Sequence, residues 1–195
     1  AGDAHAAEAV IDGDSEINDL YLELESACID LFALQQPVAS DLRFVAASFK
    51  IMTDLERIGD LATNLAGYAL AANTRYLPEV DLTHIGTRAH DLVADAIEAY
   101  DEGDAAACRE IDARDDEIDA LCHTASERVV RDLIERRAAD GDGDEPGDPW
   151  DVEAVLDDVS RVLFTVRDLE RVADHGVNIA ARTLYAVDSD PELIY

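Results

Sequence analysis

Apolar residues recur at three- and four-residue spacing along almost the whole chain, with little strict alternation and few aromatics, so the pattern predicts an all-α protein. Glycine and proline fall at a few points that cut the pattern into segments. The first predicted helix runs from about Ala4 to Gln36, capped by Asp3 and stopped by Pro37, and the second from about Asp41 to Ala72 with Ser40 as its cap. The third covers about Leu82 to Glu102, opened by Asp81 and closed by Gly103, and the fourth runs from about Ala105, behind Asp104, to Ala138. The stretch "ADGDGDEPGDPW", Ala139 to Trp150, reads as a loop, and a fifth helix covers about Val152 to Val187. Helices this long favour a bundle.

The pattern also repeats. Gly2 to Leu20 aligns with Gly103 to Leu121 at a constant offset of 101, and "DLERIGDLATNLA", Asp54 to Ala66, aligns with "DLERVADHGVNIA", Asp168 to Ala180, at 114. The difference of 13 is absorbed by the Gly/Asp loop, so the chain is an internal duplication. Its repeats span 1–78 and 79–195, the second carrying the Gly/Asp-rich loop at 139–150. A helix precedes "GDAAAC" in the second copy and nothing precedes "GDAHAA" in the first, so the symmetry predicts that one helix of about twenty residues is missing from the first unit.

Charge narrows the function. There are 45 acidic against 15 basic residues, a formal net charge of -30, and Lys50 is the single lysine. That sign argues against binding a nucleic-acid backbone or an anionic membrane unaided. A surface so acidic and lysine-poor suits a halophile, whose concentrated salt screens the self-repulsion. Cys28, Cys108 and Cys122 form no C-x-x-C, which speaks for small buried side chains over a disulfide framework or zinc. No stretch approaches the roughly 18 uncharged apolar residues of a membrane span, and the start lacks the features of a signal peptide, so a cytoplasmic protein is expected.

"DLFALQQPVASDLRFVAASFKIMTDLERIGDLATNLA", Asp30 to Ala66, resembles the signature of the PhoU family, and "RVLFTVRDLERVADHGVNIAARTLYAV", Arg161 to Val187, is similar to that family's second-repeat signature. The resemblance implies tandem three-helix bundles and a cytoplasmic, non-enzymatic regulator, usually a dimer. It implies dampened phosphate uptake and phosphate-starvation signalling, through contact with the transporter's ATPase subunit and a sensor kinase. It further implies metal clusters held by E(D)-x-x-x-D motifs. These fall on Glu56 and Asp60, on Glu170 and Asp174, on Asp115 and Asp119, and on Asp14 with Asn18. Asn18 stands where a carboxylate is usual, and a neutral amide oxygen is the poorer ligand, so the first site should be the weaker.

Independently of the resemblance, four residues along a helix turn the side chain through about 400°, so each motif projects two oxygens from one face. An all-oxygen set suits iron, manganese, magnesium or calcium. In a chain this acidic, chance alone supplies about ten acidic i,i+4 pairs, so spacing by itself is weak. Two features add weight: the pairs recur in both repeats, and they continue apolar stripes, Val45, Phe49 and Met52 before Glu56, and Val159, Leu163 and Val166 before Glu170. The competing reading is an ion-pair network using Arg43, Arg57, Arg161 or Arg171. His175 fits a metal's surroundings or a packing role, Asn64 and Asn178 either orient carboxylates or bond between helices, and neighbouring aspartates would hold Arg57 and Arg171 in helix pairs. Two further classes stay open, a carboxylate-bridged di-iron enzyme and a purely structural helical dimer. The former expects Glu-x-x-His, and no histidine here has Glu three residues earlier.

Overall fold

The computed structural model describes residues 3–34, 38–72, 80–140 and 149–194, and among them five α-helices and no strand. They are α1 (Ala4–Leu34), α2 (Ala39–Ala71), α3 (Leu82–Glu102), α4 (Ala105–Asp140) and α5 (Pro149–Asp188). The all-α expectation holds. The stop at Pro37, the boundary between the repeats and most of the Gly/Asp loop lie outside the described residues.

Local chemistry sets most helix ends. Asp3 Oδ1 accepts from the backbone N–H groups of His5 and Ala6, Asp81 from that of His84, and Asp104 from those of Ala106 and Ala107. Each carboxylate thereby satisfies donors that the first helical turn leaves unpaired. Gly103 ends α3 in the left-handed region at φ 65°, and the Asp104 N–H reaches back to the Ala99 carbonyl at 2.9 Å. One assignment is corrected: α2 starts at Ala39, its N-cap is the extended Val38 with no side-chain bond, and Ser40 is already helical. A capping hydroxyl needs a non-helical backbone. The Ser40 hydroxyl instead faces Asp41 Oδ1 at 3.5 Å. Helix α4 extends to Asp140 and α5 begins at Pro149, so both helices run into the stretch expected to be loop. Proline at a first helical position loses no bond, because that N–H has no intrahelical partner.

Packing is uneven. α3, α4 and α5 form a three-helix bundle, α2 packs on α5, and α1 packs on α2 alone. The main core is built from Ile85, Ala89, Leu92 and Ala96 of α3, Cys108, Ile111, Ile118 and Cys122 of α4, and Val166, Ala173, Ile179 and Leu184 of α5. From α2 only Ile51 is a fully enclosed member, and α1 supplies none. Among the described residues no third helix covers α1 and α2, and Val10, Ile11, Leu20, Leu22 and Leu24 stay exposed. α3 approaches α5 closely enough that a Cβ on Gly176 would lie 2.4 Å from Leu92 Cδ2. Beyond the last turn of α5, Arg109 of α4 bonds Asp190 at 3.0 Å and Glu192 at 3.3 Å, which seats the buried Leu193. No helix among the described residues is long and apolar enough to cross a membrane.

Candidate metal centre

The two "DLER" helices, α2 and α5, lie antiparallel, and each presents its second motif beside a neighbouring helix, α1 for α2 and α4 for α5. In the second repeat three of the four expected residues converge, and Glu170 falls outside the group. Asp115 and Asp119, one turn apart on α4, meet Asp174 of α5 with carboxylate oxygens of all three within 4.8 Å of one another. Asp115 is half-buried, and its Oδ1 is enclosed with no hydrogen-bond partner. Burial, and then the charges of Asp119 and Asp174, push the Asp115 carboxyl up to about 7. Glu170 is raised by burial and then by Asp119 and Asp174, and Asp174 is raised by burial and then by Asp119. The buried Cys122 thiol, one turn past Asp119, is pushed up to about 12, chiefly by burial and then by Glu170 and the three aspartates. Like charges drawn together in partly dehydrated surroundings are costly unless a proton or a cation intervenes.

Among the described residues no arginine pairs directly with this group, although His175 and Arg171 pull the Asp174 carboxyl down in part. Arg161 pairs with Asp158 at 2.6 Å and Arg171 approaches Asp168 at 3.8 Å, so both point their charge elsewhere on α5. Arg43 and Arg57 make no ion pair among the described residues, which corrects the expectation that Asp54 or Asp60 holds Arg57. The ion-pair network therefore gains no support at the second site. The orphaned oxygen and the oxygen-only donors there fit a hard cation.

The first repeat differs. Asn18 Nδ2 donates to Asp14 Oδ2 at 2.9 Å, so one Asp14 oxygen is already engaged by its own motif partner. Glu56 and Asp60 are half-buried and exposed, as Glu170 and Asp174 are, but among the described residues Asp14, Glu56 and Asp60 do not form a second converging group. The apolar stripes follow suit: Val159 and Val166 are buried ahead of Glu170, whereas Val45, Phe49 and Met52 are only half-buried ahead of Glu56.

Between the repeats lies a contact that spacing did not reveal. His175 Nδ1 donates to Asp54 Oδ1 at 2.8 Å and Asn178 Nδ2 reaches the same oxygen at 3.4 Å, tying α5 to α2. Asn178 thus bonds between helices, and His175 is turned to the "DLER" aspartate of the other repeat. Asp168, the repeat equivalent of Asp54, is fully enclosed and accepts from Tyr68 at 3.0 Å and from Arg167 at 3.0 and 3.2 Å.

The family model described as the PhoU domain matches residues 1–69 and 82–183, covering both "DLER" helices and both carboxylate sets. The chain belongs to the PhoU family. It is 33% identical over 188 residues to a protein of Methanothermobacter thermautotrophicus named as a phosphate-specific transport system accessory protein PhoU homolog, covering 95% of this chain and 78% of that one. The crystal structure of PhoU from Pseudomonas aeruginosa matches with a TM-score of 0.82 at 29% identity, over 96% of this chain and 84% of that chain. The phosphate transport system regulatory protein PhoU from Streptococcus pneumoniae matches with a TM-score of 0.80 at 27% identity, over 96% and 81%. These relatives are named as accessory or regulatory proteins and not as enzymes, in line with the absence of a catalytic assignment from sequence.

Proposed function

We propose that the chain is an accessory regulator of a phosphate-specific transport system, dampening uptake and phosphate-starvation signalling without catalysing a reaction. The observation that carries this reading is the PhoU domain match across both repeats, together with relatives named for that role. The partners are the transporter's ATPase subunit and a sensor kinase, and the working unit is a cytoplasmic homodimer. An acidic surface in concentrated salt, where charge steering is weak, favours an apolar or basic patch on such a partner. The exposed apolar residues of α1 are consistent with that.

Asp115, Asp119, Glu170 and Asp174 hold a divalent or trivalent hard cation, iron, manganese or magnesium, and Asp14, Asn18, Glu56 and Asp60 hold a second more weakly. A bound cation supplies positive charge that joins α4 to α5. The enclosed, unpartnered Asp115 oxygen supports the first assignment. The di-iron enzyme draws no support, because the chain has no Glu-x-x-His pair.

The test is elemental mass spectrometry on protein purified in high potassium chloride, beside Glu170→Gln plus Asp174→Asn. Stoichiometric metal lost in the double variant is expected. No metal in either protein after reconstitution would reduce the motif to a structural and docking element. Phosphate uptake in cells lacking the protein should rise, and unchanged uptake would remove the regulatory role.

A further inference from the structure

On the face of α2 turned away from α3, a cavity of about 490 Å³ opens between α1, α2 and α5. Lys50 and Arg182 line it together with Phe32, Phe49, Thr53 and Asn178. Ser48, which meets Tyr100 of α3, lies two residues or about 200° around α2 from Lys50. The metal motifs take no part in its walls.

Two observations set this cavity apart. The first is charge. Acids outnumber bases three to one in this chain, yet neither Lys50 nor the half-buried Arg182 makes an ion pair among the described residues. The one carboxylate in the wall, Asp54, is engaged by His175 and Asn178. The second is the repeat. At the offset of 114, Lys50 corresponds to Phe164, Thr53 to Arg167, Asp54 to Asp168 and Arg182 to Tyr68. In that copy the groups satisfy one another: Tyr68 and Arg167 bond Asp168, the Tyr68 and Phe164 rings lie 6.3 Å apart, and Arg167 sits 5.2 Å from the Phe164 centroid. The duplicated position is thus closed by its own side chains, and here it is open with two cations unspent.

We propose that Lys50 and Arg182 form a binding site for a small organic phosphate, with Phe32 and Phe49 taking a planar or apolar part. A guanidinium fork and an ammonium together match a phosphate's oxygens better than either matches a single carboxylate. The volume suits a ligand of nucleotide size. An inorganic ion would leave both rings unused, whereas a nucleoside monophosphate engages cations and rings at once.

The experiment is calorimetric titration of the full chain with AMP, ATP and inorganic phosphate in potassium chloride with EDTA, so that the acidic clusters cannot recruit phosphate through a bridging cation. Saturable binding of AMP or ATP is expected, weakened about tenfold or more by Lys50→Met and by Arg182→Met and kept within a few-fold by Lys50→Arg. Melting temperatures of the variants serve as the folding control, and Lys50 is exposed, so its replacement leaves the core intact. Absence of saturation by any probe at millimolar concentration overturns the site. So does binding that both methionine variants leave unchanged. Inorganic phosphate bound as tightly as AMP would overturn the part given to the rings.

Discussion

The two carboxylate sets descend from one motif, and they sit in different surroundings. In the second repeat Asp115, Asp119 and Asp174 come together beside a core of three helices, Asp119 and Asp174 exposed and one Asp115 oxygen enclosed and unpartnered. In the first, the Asp14 carboxylate is bonded by Asn18 and backed by a helix that packs on a single neighbour. Duplication brings the motif to both repeats, with Asn18 in place of one acid; enclosure depends on the neighbours, and α1 and α2 have no described counterpart of α3.

Metal affinity should separate the repeats most strongly. Asp119→Asn with Asp174→Asn should weaken binding of manganese by more than the roughly 10–100-fold that changes outside the ligand set cost. Asp14→Asn with Asp60→Asn should remove only a weaker second equivalent, as read by titration calorimetry. Equal losses from the two pairs would erase the distinction drawn here.

Packing offers the next contrast. A methyl group at Gly176 meets Leu92 Cδ2 at 2.4 Å and Val93 Cγ2 at 3.2 Å inside the main core, so Gly176→Ala should cost about 1–3 kcal/mol in denaturant unfolding. At Gly59 the same methyl meets the tip of the exposed Ile17 at 3.1 Å, which can turn aside. There the helix-propensity gain of about 1 kcal/mol offsets the crowding, and Gly59→Ala should stay within about 0.5 kcal/mol of the parent.

Acid response is a smaller signal. Asp115 has a folded value of about 7 against an ordinary 3.8. Between those values the folded chain keeps a proton that the unfolded chain has released, so the metal-free protein should lose stability as pH rises from about 4 to about 7. Asp115→Asn should flatten that slope in melting curves. Added metal should act in the opposite sense, stabilising more as pH rises, because its ligands must be deprotonated. At Gly13 nothing lies within 4 Å of an added methyl, so Gly13→Ala should stabilise by up to about 1 kcal/mol.

Much of this was legible in the sequence because helical periodicity and capping are local. Asp3, Asp81, Asp104 and Gly103 mark their helix ends through side chains and backbone within a turn. Ser40 failed as a mark because the same residue type is tolerated within the first turn of a helix, and α2 is capped earlier, at Val38. Three of the four motif carboxylates of the second repeat, Asp115, Asp119 and Asp174, lie within reach of one another. That Asp115 Oδ1 is enclosed depends on how α4 meets α5, which spacing on one helix does not encode. The Asp54 to His175 bond spans 121 residues, and its only trace in the sequence is that His175 replaces Leu61 of the first copy. For the cavity the internal offset of 114 carries the information, since it sets Lys50 against Phe164 and Arg182 against Tyr68.

Among the described residues the backbone of helix α1 packs on α2 alone, whereas α5 is held by α2, α3 and α4. Local opening is governed by the contacts an element must break. The amides of α1 should therefore exchange with solvent long before those of α5, and a protease should cut the chain there first. A partner that lies along α1 would slow both processes, so the exchange rate of this one helix would report whether that face is covered.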